Sequence, residues 1–400
     1  MLRCTFADVD LEALKANFRA IVAFLAQPRA ARPTRRTPPG IIAVVKANAY
    51  GHGAGPVGLA LEEAGATMLA CADIEEAIVL REAGVRCAIL VFGALSVSDL
   101  AGVFDHGLTP TISTPSAGRA LQAAAAARQM RLHYHLKIDT GMNRLGFRHD
   151  NLRHTLPELL GSPNLELDAV YTHFATADDL GSPLFDLQRE RFHEALRQVT
   201  AMGGRPHARH AASSAAILRD ARVWFDVVRP GLLLYGICPT VRADTPAGAR
   251  DASRDPMALR PVMTLRSRVV AVKGVRAGEA VGYGGRFVAS RPTDIGIIPA
   301  GYADGLDARL GGRGSVLIAG RRAPVVGAVS MDMIAVDVTG IPVEPGDPVV
   351  LLGTDGDHRI DVTEMADAVG TIPYEVLCRL GTRIERVYNS PLSPSWNREE

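Results

Sequence analysis

The chain has 400 residues, of which 47% are apolar and 22% charged, a profile typical of a globular protein. Its 44 basic and 43 acidic side chains leave a formal net charge of +1, which excludes a general attraction to nucleic acid or acidic membranes. Five scattered cysteines without a CxxC pair indicate neither a disulfide framework nor a metal site. A charged N-terminal stretch and the lack of an apolar run of about 20 residues predict a cytoplasmic protein.

In chain order, short apolar runs alternate with helical stretches from residue 41 to residue 236. The predicted strands cover residues 41–45, 68–71, 88–92, 108–112, 132–138, 167–174, 207–212 and 225–228. Eight strand–helix units, rather than five or six, favour an α/β fold with a parallel (β/α)8 barrel over an open, doubly wound sheet.

The character of the chain changes after Gly236. Strand-like runs broken by glycine and proline follow Met263, with one late helical pattern near VTEMADAVGT. The predicted organisation is a barrel over 11–239, a linker over 240–254, a mainly β C-terminal domain formed by 1–10 plus 255–390, and a disordered tail over 391–400. The basic, proline-rich segment 28–40 is interpreted as a solvated loop.

The use of lysine is unusual, because the chain contains 40 arginines and only four lysines. Chemistry that needs an amine able to lose its proton cannot use a guanidinium. We interpret Lys15, on a charged helix, and Lys273, near a turn, as lysines without a chemical role. Lys46, in VVKANAYGHG directly after the first strand, is a candidate nucleophile because its buried aliphatic neighbours are expected to lower the amine pKa. The alternative is a lysine that only extends its amine to solvent from a strand end.

Further polar residues follow other strands, where barrel active sites form. The fifth strand ends in LKIDTGMNRLG with Lys137, Asp139 and Arg144, and the sixth leads to His173. A structural Lys137–Asp139 bridge and a histidine satisfied within the core are the alternatives.

The loops after the seventh and eighth strands contain Ser213, Ser214 and Arg229. Hydroxyls and backbone N–H groups at a helix start bind anions, although serine at this position also serves as an ordinary helix cap. In barrels these two loops frequently form a phosphate site. A phosphate site opposite a reactive lysine indicates pyridoxal phosphate.

Eight motifs occur in the order VVKANAYGHG, KIDTGMNRLG, YTHFATAD, RPGLLLYG, VGYGGRF, PAGYADG, SMDM and TIPYEV. Over about residues 5 to 388 the chain resembles the bacterial alanine racemases of the barrel type. The resemblance implies interconversion of L- and D-alanine through a pyridoxal phosphate aldimine, with D-alanine supplied for peptidoglycan. It also implies a homodimer whose active sites are shared between subunits.

The resemblance assigns roles residue by residue. Lys46 would carry the cofactor and act as one base, and Tyr283, supplied by the partner subunit, would be the other base. Arg144, Met331 and Tyr302 would bind substrate, the last two also from the partner subunit, and Lys137 would be a candidate for carbamylation. The implied cofactor contacts are Lys46, Tyr50, His173, Ser214, Arg229, Gly231, Leu232 and Tyr374.

The sequence departs from the family pattern at Ser213, where asparagine is usual, at Ser330, where cysteine is common, and in the longer segment 28–40. Three other functions stay open at this point. A barrel-type amino-acid decarboxylase would pair the cofactor with a carboxylate rather than with Arg229. A protein that only buffers the cofactor would lack the second domain. A serine or broad-specificity racemase would share the chemistry but accept other side chains.

Overall fold

The computed structural model describes residues 4–27, 37–93, 95, 100–239 and 256–388. These residues form two compact units. The barrel unit comprises Ala13–Ala49 and Ala54–Arg260, and the second unit comprises the described parts of Met1–Glu12, Tyr50–Gly53 and Pro261–Glu400. The predicted linker 240–254, the predicted tail 391–400 and most of the basic segment 28–40 lie outside the described residues.

The chain begins with strand β1 (Phe6–Val9), which belongs to the second unit, and helix α1 (Leu11–Ala26). The following strands are β2 (Gly40–Val44), β3 (Met68–Cys71), β4 (Ala88–Val91), β5 (Thr109–Ile112), β6 (Leu132–Asp139), β7 (Phe147–Arg148), β8 (Leu165–Tyr171), β9 (Ala208–Ser213) and β10 (Val227–Arg229). Eight of them pair in parallel in the order β5-β4-β3-β2-β10-β9-β8-β6, and the short β7 pairs in parallel with the end of β6.

Pairing of β5 with β6 closes this ring, with Thr111 opposite His135 and Ile112 opposite Leu136. The predicted barrel is therefore confirmed, and the open sheet is excluded. Each of the eight predicted strands overlaps an observed one. Inside the barrel, Ile42, Ala70 and Leu90 form a buried apolar cluster, as expected for parallel strands covered on their outer face by helices.

Helices connect most of the barrel strands. They are α2 (Lys46–Tyr50), α3 (Ala54–Glu63), α4 (Ile74–Glu82), α5 (Leu100–Asp105), α6 (Pro115–Ala127), α7 (Leu152–Thr155), α8 (Pro157–Leu160), α9 (Leu184–Ala201) and α10 (Ser214–Arg219). Short 3-10 helices cover Ala221–Val223 and Leu232–Tyr235. None of the helices in the described segments combines the length and the apolar character needed to cross a membrane.

The second unit is mainly β, as predicted. Its further strands are β11 (Met263–Arg268), β12 (Ala271–Val275), β13 (Ala280–Val281), β14 (Phe287–Val288), β15 (Thr293–Ile298), β16 (Ser315–Ile318), β17 (Arg321–Val326), β18 (Ile334–Asp337), β19 (Pro348–Asp355), β20 (His358–Ile360) and β21 (Glu385–Tyr388). The main sheet has the order β12-β15-β18-β17-β16-β19-β11-β1-β21, with β20 paired to β19 and β13-β14 as a separate pair.

Buried and partly exposed residues alternate along β11, as expected for a strand with one face on the core. Two helices lie between β20 and β21, α11 (Val362–Val369) and α12 (Pro373–Cys378), and α11 confirms the late helical pattern. Short 3-10 helices at Tyr283–Gly285, Tyr302–Asp304 and Ala308–Leu310 lie between the strands.

Candidate active site

Lys46 stands at the carboxyl end of the first barrel strand. The hydrogen-bonded ladder between β2 and β3 continues one residue past β2, since Val45 N–H donates to Ala70 O at 2.8 Å. Lys46 is the next residue, so it lies at the mouth of the barrel, where active sites of this fold are built.

The residues after Lys46 form a left-handed turn. The φ angles are 54°, 52°, 54° and 52° at Ala47, Asn48, Ala49 and Tyr50. This conformation costs L residues roughly 1–2 kcal/mol each, which makes the turn expensive on the order of 4–8 kcal/mol. Such backbone persists only where its surroundings hold it, and it is concentrated at functional sites.

Four cationic side chains converge on His173, which follows β8. Burial lowers the pKa of the His173 imidazole well below its ordinary value, and the positive charges of Arg229, Lys137, Arg144 and Lys46 lower it further. The imidazole is therefore neutral at physiological pH. The cations come from the ends of β2, β6 and β10, so the fold gathers at one place residues that are far apart in the sequence.

Lys137 is buried within this cluster. Its Nζ lies 4.6 Å from the centroid of the Tyr171 ring, which offers a favourable face to a cation. Burial, followed by the charges of Arg229 and Arg144, lowers the pKa of the Lys137 amine well below its ordinary value, against an opposing effect of Asp139. The neutral form of the amine is therefore more accessible here than in an ordinary exposed lysine.

Asp139 serves the loop that follows it. Its Oδ1 accepts hydrogen bonds from Gly141 N–H at 2.9 Å and Asn143 N–H at 3.1 Å. Within the described residues no ion pair joins Asp139 to Lys137, so the interpretation of these two residues as a structural bridge is wrong.

The guanidinium of Arg229 is fixed on several sides. Its Nη2 donates to Thr172 O at 2.8 Å and Ala211 O at 3.0 Å, and lies 3.3 Å from His173 Nδ1. Its Nη1 lies 2.7 Å from His210 Nδ1. Burial lowers the pKa of Arg229 to about 10, which still leaves the group protonated at neutral pH.

Behind Arg229 a hydrogen-bonded chain runs through the barrel interior. A guanidinium can only donate, so His210 Nδ1 accepts from Arg229 and the His210 proton is on Nε2. This Nε2 lies 3.0 Å from His135 Nδ1, and His135 Nε2 lies 3.5 Å from Asp168 Oδ2. Burial and the Arg229 charge lower the pKa of His210 well below its ordinary value. Both histidines thus take a defined orientation.

A β-bulge places Asp168 at the end of this chain. The register between β6 and β8 shifts between Tyr134 and His135, which leaves Asp168 as the extra residue on β8. Hydrogen bonding from His135, and then from His207, lowers the pKa of the Asp168 carboxyl to about 2 despite partial burial. An ionised carboxylate therefore ends the chain that begins at Arg229.

The loops after β9 and β10 meet at Ser214. Its Oγ accepts a hydrogen bond from Gly231 N–H at 2.9 Å, directly before the 3-10 helix that begins at Leu232. Ser213 holds the N-cap position of α10, but its hydroxyl makes no capping bond within the described part of the chain. The ordinary capping interpretation is therefore wrong for Ser213. The paired loops present a hydroxyl and helix-start N–H groups, which suit an anion.

The second unit presents three of the predicted site residues at its surface. The exposed fractions are 77% for Tyr283, 47% for Tyr302 and 52% for Met331. Tyr302 and Met331 lie on adjoining loops, because Tyr302 N–H donates to Ser330 O and Ala303 N–H donates to Met331 O, both at 3.0 Å. Tyr302 and Met331 therefore lie close together on one exposed surface of this unit.

Tyr50 and Tyr374 also lie together in this unit, with ring centroids 5.7 Å apart. The chain after Tyr50 needs glycine. At Gly53, where φ is 99°, a Cβ atom would lie 1.8 Å from the Tyr388 hydroxyl oxygen. A side chain at position 53 would therefore require the Tyr388 ring to shift, in addition to a strained backbone.

Sequence reasoning missed His135, His210, Asp168 and Tyr171. A signal existed for His135, which lies two residues before Lys137 and so on the same face of the strand. Tyr171 stands in the same relation to His173. Most inward positions of a buried strand carry apolar side chains, so a polar residue at such a position indicates a special role. No sequence pattern indicated the bulge at Asp168.

The fold and the residues at the barrel mouth define an enzyme built on a (β/α)8 barrel. Its site combines cationic side chains, which suit an anionic ligand, with a lysine amine. Residues 9–239 match the family described as alanine racemase, N-terminal domain, and residues 262–388 match alanine racemase, C-terminal domain. The chain is 43% identical to the alanine racemase of Carboxydothermus hydrogenoformans over 389 residues, covering 97% of this chain and 100% of that protein. The chain belongs to the alanine racemase family.

Solved structures agree with this assignment. The alanine racemase of Bacillus anthracis with bound L-Ala-P is 34% identical, with a TM-score of 0.84 over 98% of this chain and 97% of that one. The alanine racemase of Bartonella henselae with covalently bound pyridoxal phosphate is 29% identical, with a TM-score of 0.81 over 96% of this chain and 99% of that one.

Proposed function

We propose that the protein is a pyridoxal phosphate-dependent alanine racemase that interconverts L- and D-alanine. The observation that carries the proposal is the convergence of Lys46 and the protonated Arg229 on His173 at the barrel mouth. The proposal includes a cytoplasmic enzyme that supplies D-alanine for peptidoglycan, which fits the family.

The residues at the mouth fit the cofactor. The cluster around His173 contains four cations, and its nearby carboxylate, Asp139, is occupied by backbone N–H groups. Excess positive charge at a largely buried site favours an anionic ligand. Lys46 would hold the cofactor, Arg229 and His173 would face its ring nitrogen, and its phosphate would contact Tyr50, Ser214, Gly231, Leu232 and Tyr374. Pyridoxal phosphate supplies, when bound, a conjugated ring that takes up electron density from the substrate Cα.

Arg229 limits how much electron density that ring can accept. A guanidinium with a pKa of about 10 keeps its proton at neutral pH and cannot transfer it to the ring nitrogen. We therefore infer that Arg229 favours return of a proton to Cα over side reactions such as transamination.

Racemisation needs a proton removed from one face of Cα and returned to the other, and hence two bases. We assign these to Lys46 and Tyr283. Tyr283 is 77% exposed on its own chain, which suits a side chain that enters the site of a second subunit. Tyr302 and Met331, also exposed, would reach the same site, so the proposed enzyme is a homodimer with shared active sites.

We assign Arg144 to the binding of substrate and Lys137 to a modification that affects Arg144. Arg144, one of the cations around His173, would bind the alanine carboxylate by charge-assisted hydrogen bonds. The lowered pKa of Lys137 makes its neutral amine more accessible, and the neutral amine is the form that adds carbon dioxide, giving a carbamate and releasing one proton. Such a carbamate would place a negative charge beside Arg144.

The test is an absorbance spectrum of the purified protein followed by an assay of D-alanine formed from L-alanine. We expect a cofactor band that is lost in Lys46→Ala and retained in Lys273→Ala, whose lysine is exposed. Racemisation should be abolished in Tyr283→Phe. Release of carbon dioxide, a band without turnover, or a higher kcat/KM for serine than for alanine would each contradict the proposal, and so would a protein that binds no cofactor.

A further inference from the structure

The carboxylate of Glu76 joins two backbone N–H groups that follow neighbouring barrel strands. Its Oε1 accepts from Ala47 N–H at 2.5 Å and its Oε2 accepts from Ala72 N–H at 2.8 Å. Ala47 is the first left-handed residue after Lys46. We propose that Glu76 is a positioning residue that holds the left-handed turn closed and so sets the direction in which Lys46 presents its amine. The role of Lys46 in this inference rests on the proposed function.

The placement of the Glu76 side chain differs from ordinary helix capping. Glu76 is the third residue of α4, and its N–H donates to Asp73 Oδ1 at 2.9 Å. In a capping box the glutamate would return the bond to the N–H of the cap residue. Here both carboxylate oxygens extend instead to Ala72 and Ala47. Glu76 is therefore a residue of α4 whose carboxylate also links the ends of β2 and β3.

The two N–H groups lie just beyond the ladder that joins β2 to β3. The paired register reaches Val44 opposite Ala70, and Val45 N–H adds one more bond to Ala70 O. Beyond this point the first chain enters the left-handed turn, and one carboxylate holds the next stretch of both strands. Glu76 thus extends the connection between the two strands into the strained residues.

The turn is fixed at its other end by Asn48. Its Oδ1 accepts from Ala54 N–H at 2.7 Å, and Ala49 N–H donates back to Val45 O at 2.8 Å. Loss of Glu76 would therefore release the start of the turn, beside Lys46, while these bonds keep its end. A displacement at this point would move the amine relative to the cations around His173.

The chemistry of the contact distinguishes glutamate from its closest substitutes. A carboxylate offers an acceptor to each of the two donors, and bonds to a charged acceptor are the stronger class. A glutamine offers one oxygen, and its NH2 group would face the other N–H donor to donor. An aspartate keeps the charge but is one methylene shorter, so it would satisfy one N–H group at most.

The experiment compares holoenzyme of the wild type with Glu76→Gln, Glu76→Asp and Glu75→Gln. Glu75 is the adjacent, exposed acid in the same helical turn, so Glu75→Gln controls for lost charge at the start of α4. Three quantities are measured: amide hydrogen exchange of the peptide covering 45–53, the cofactor dissociation constant with the pH dependence of the cofactor absorbance, and kcat and KM for alanine.

We expect Glu76→Gln to exchange faster over 45–53, to weaken cofactor binding about ten-fold, and to lower kcat more than it changes KM. The pH at which the cofactor absorbance changes should differ between Glu76→Gln and the wild type. For each measured quantity, Glu76→Asp should lie between Glu76→Gln and the wild type. Glu75→Gln should match the wild type. Wild-type exchange and cofactor affinity in Glu76→Gln, or an equal effect of Glu75→Gln, would overturn the inference. A wild type that makes no D-alanine would instead overturn the proposed function, because the exchange comparison needs no turnover.

Discussion

Arg229 Nη1 lies 2.7 Å from His210 Nδ1, which places the proton of the buried imidazole on its far nitrogen. This contact connects the cationic mouth of the barrel to Asp168 through His210 and His135. The guanidinium of Arg229 therefore donates to His210, and His210 is itself oriented through His135 by the Asp168 carboxylate.

The first prediction concerns the charge at Arg229. In Arg229→Glu a carboxyl group replaces a guanidinium that keeps its proton, and it can share a proton with the cofactor ring nitrogen. We expect D-alanine formation to fall about 100-fold or more, since a positioned electrostatic contact is lost, while pyruvate from transamination rises.

Chromatography of the products from L-alanine measures both quantities. Arg153→Glu, a charge reversal at an exposed position of α7, is the control and should change neither. If Arg229→Glu lost activity without any gain in pyruvate, the inferred limit on the ring would be wrong.

A second prediction follows from the lowered pKa of Asp168. Its carboxyl titrates near pH 2 in the folded protein, against an ordinary value of 3.8. A lowered folded pKa means that the stabilisation is complete above pH 4 and is lost as the pH falls towards 2. Because Asp168 is partly exposed, we expect Asp168→Asn to lose about 1–2 kcal/mol of unfolding free energy at neutral pH.

Denaturant unfolding at several pH values between 7 and 3 tests this, and the difference from wild type should narrow below pH 4. Asp150→Asn is the matched control, because the Asp150 carboxylate also accepts hydrogen bonds from a side chain, Arg148, but at an exposed site. A difference in unfolding free energy that stays constant from pH 7 to pH 3 would show that the Asp168 charge does not cause it.

The third prediction is a carbamate on Lys137. Protein equilibrated with 13C-labelled bicarbonate should give a carbamate carbon resonance in the wild type and in Lys273→Arg, whose lysine is exposed. The resonance should be absent in Lys137→Arg, because a guanidinium does not form it, and the KM for alanine should rise in this variant. A resonance that persists in Lys137→Arg would assign the modification to another amine.

The fourth prediction concerns Gly53. An alanine there would meet the Tyr388 hydroxyl at 1.8 Å, in addition to the cost of φ at 99°. We expect Gly53→Ala to lower the unfolding free energy by about 3 kcal/mol or more, as backbone strain and overpacking combine.

Gly65 supplies the control, because φ is 104° there and a Cβ would meet nothing within 4 Å. Gly65→Ala should therefore show only the backbone part of the loss, about 1–2 kcal/mol. Adding Tyr388→Phe to Gly53→Ala should recover part of the difference. Equal losses at positions 53 and 65 would contradict a steric cause.

The sequence by itself determined the architecture and the position of Lys46 directly after the first barrel strand. Hydrophobic periodicity depends on neighbours along the chain, so eight strands, the late helix and the lysine after the first strand could be predicted locally. The scarcity of lysine singled out Lys46 and Lys137 for a chemical reason that needs no coordinates.

Only the tertiary structure decided how these groups are held. Alanine has no local preference for the left-handed conformation, so the turn through Ala47 and Ala49 requires the strand ladder and Glu76 to impose it. The chain from Arg229 to Asp168 joins four strands and depends on a bulge in β8. Such contacts join residues that are distant in sequence. A one-residue shift in strand register also changes the face of the sheet on which a side chain lies, so the sequence pattern along the chain could not reveal these contacts.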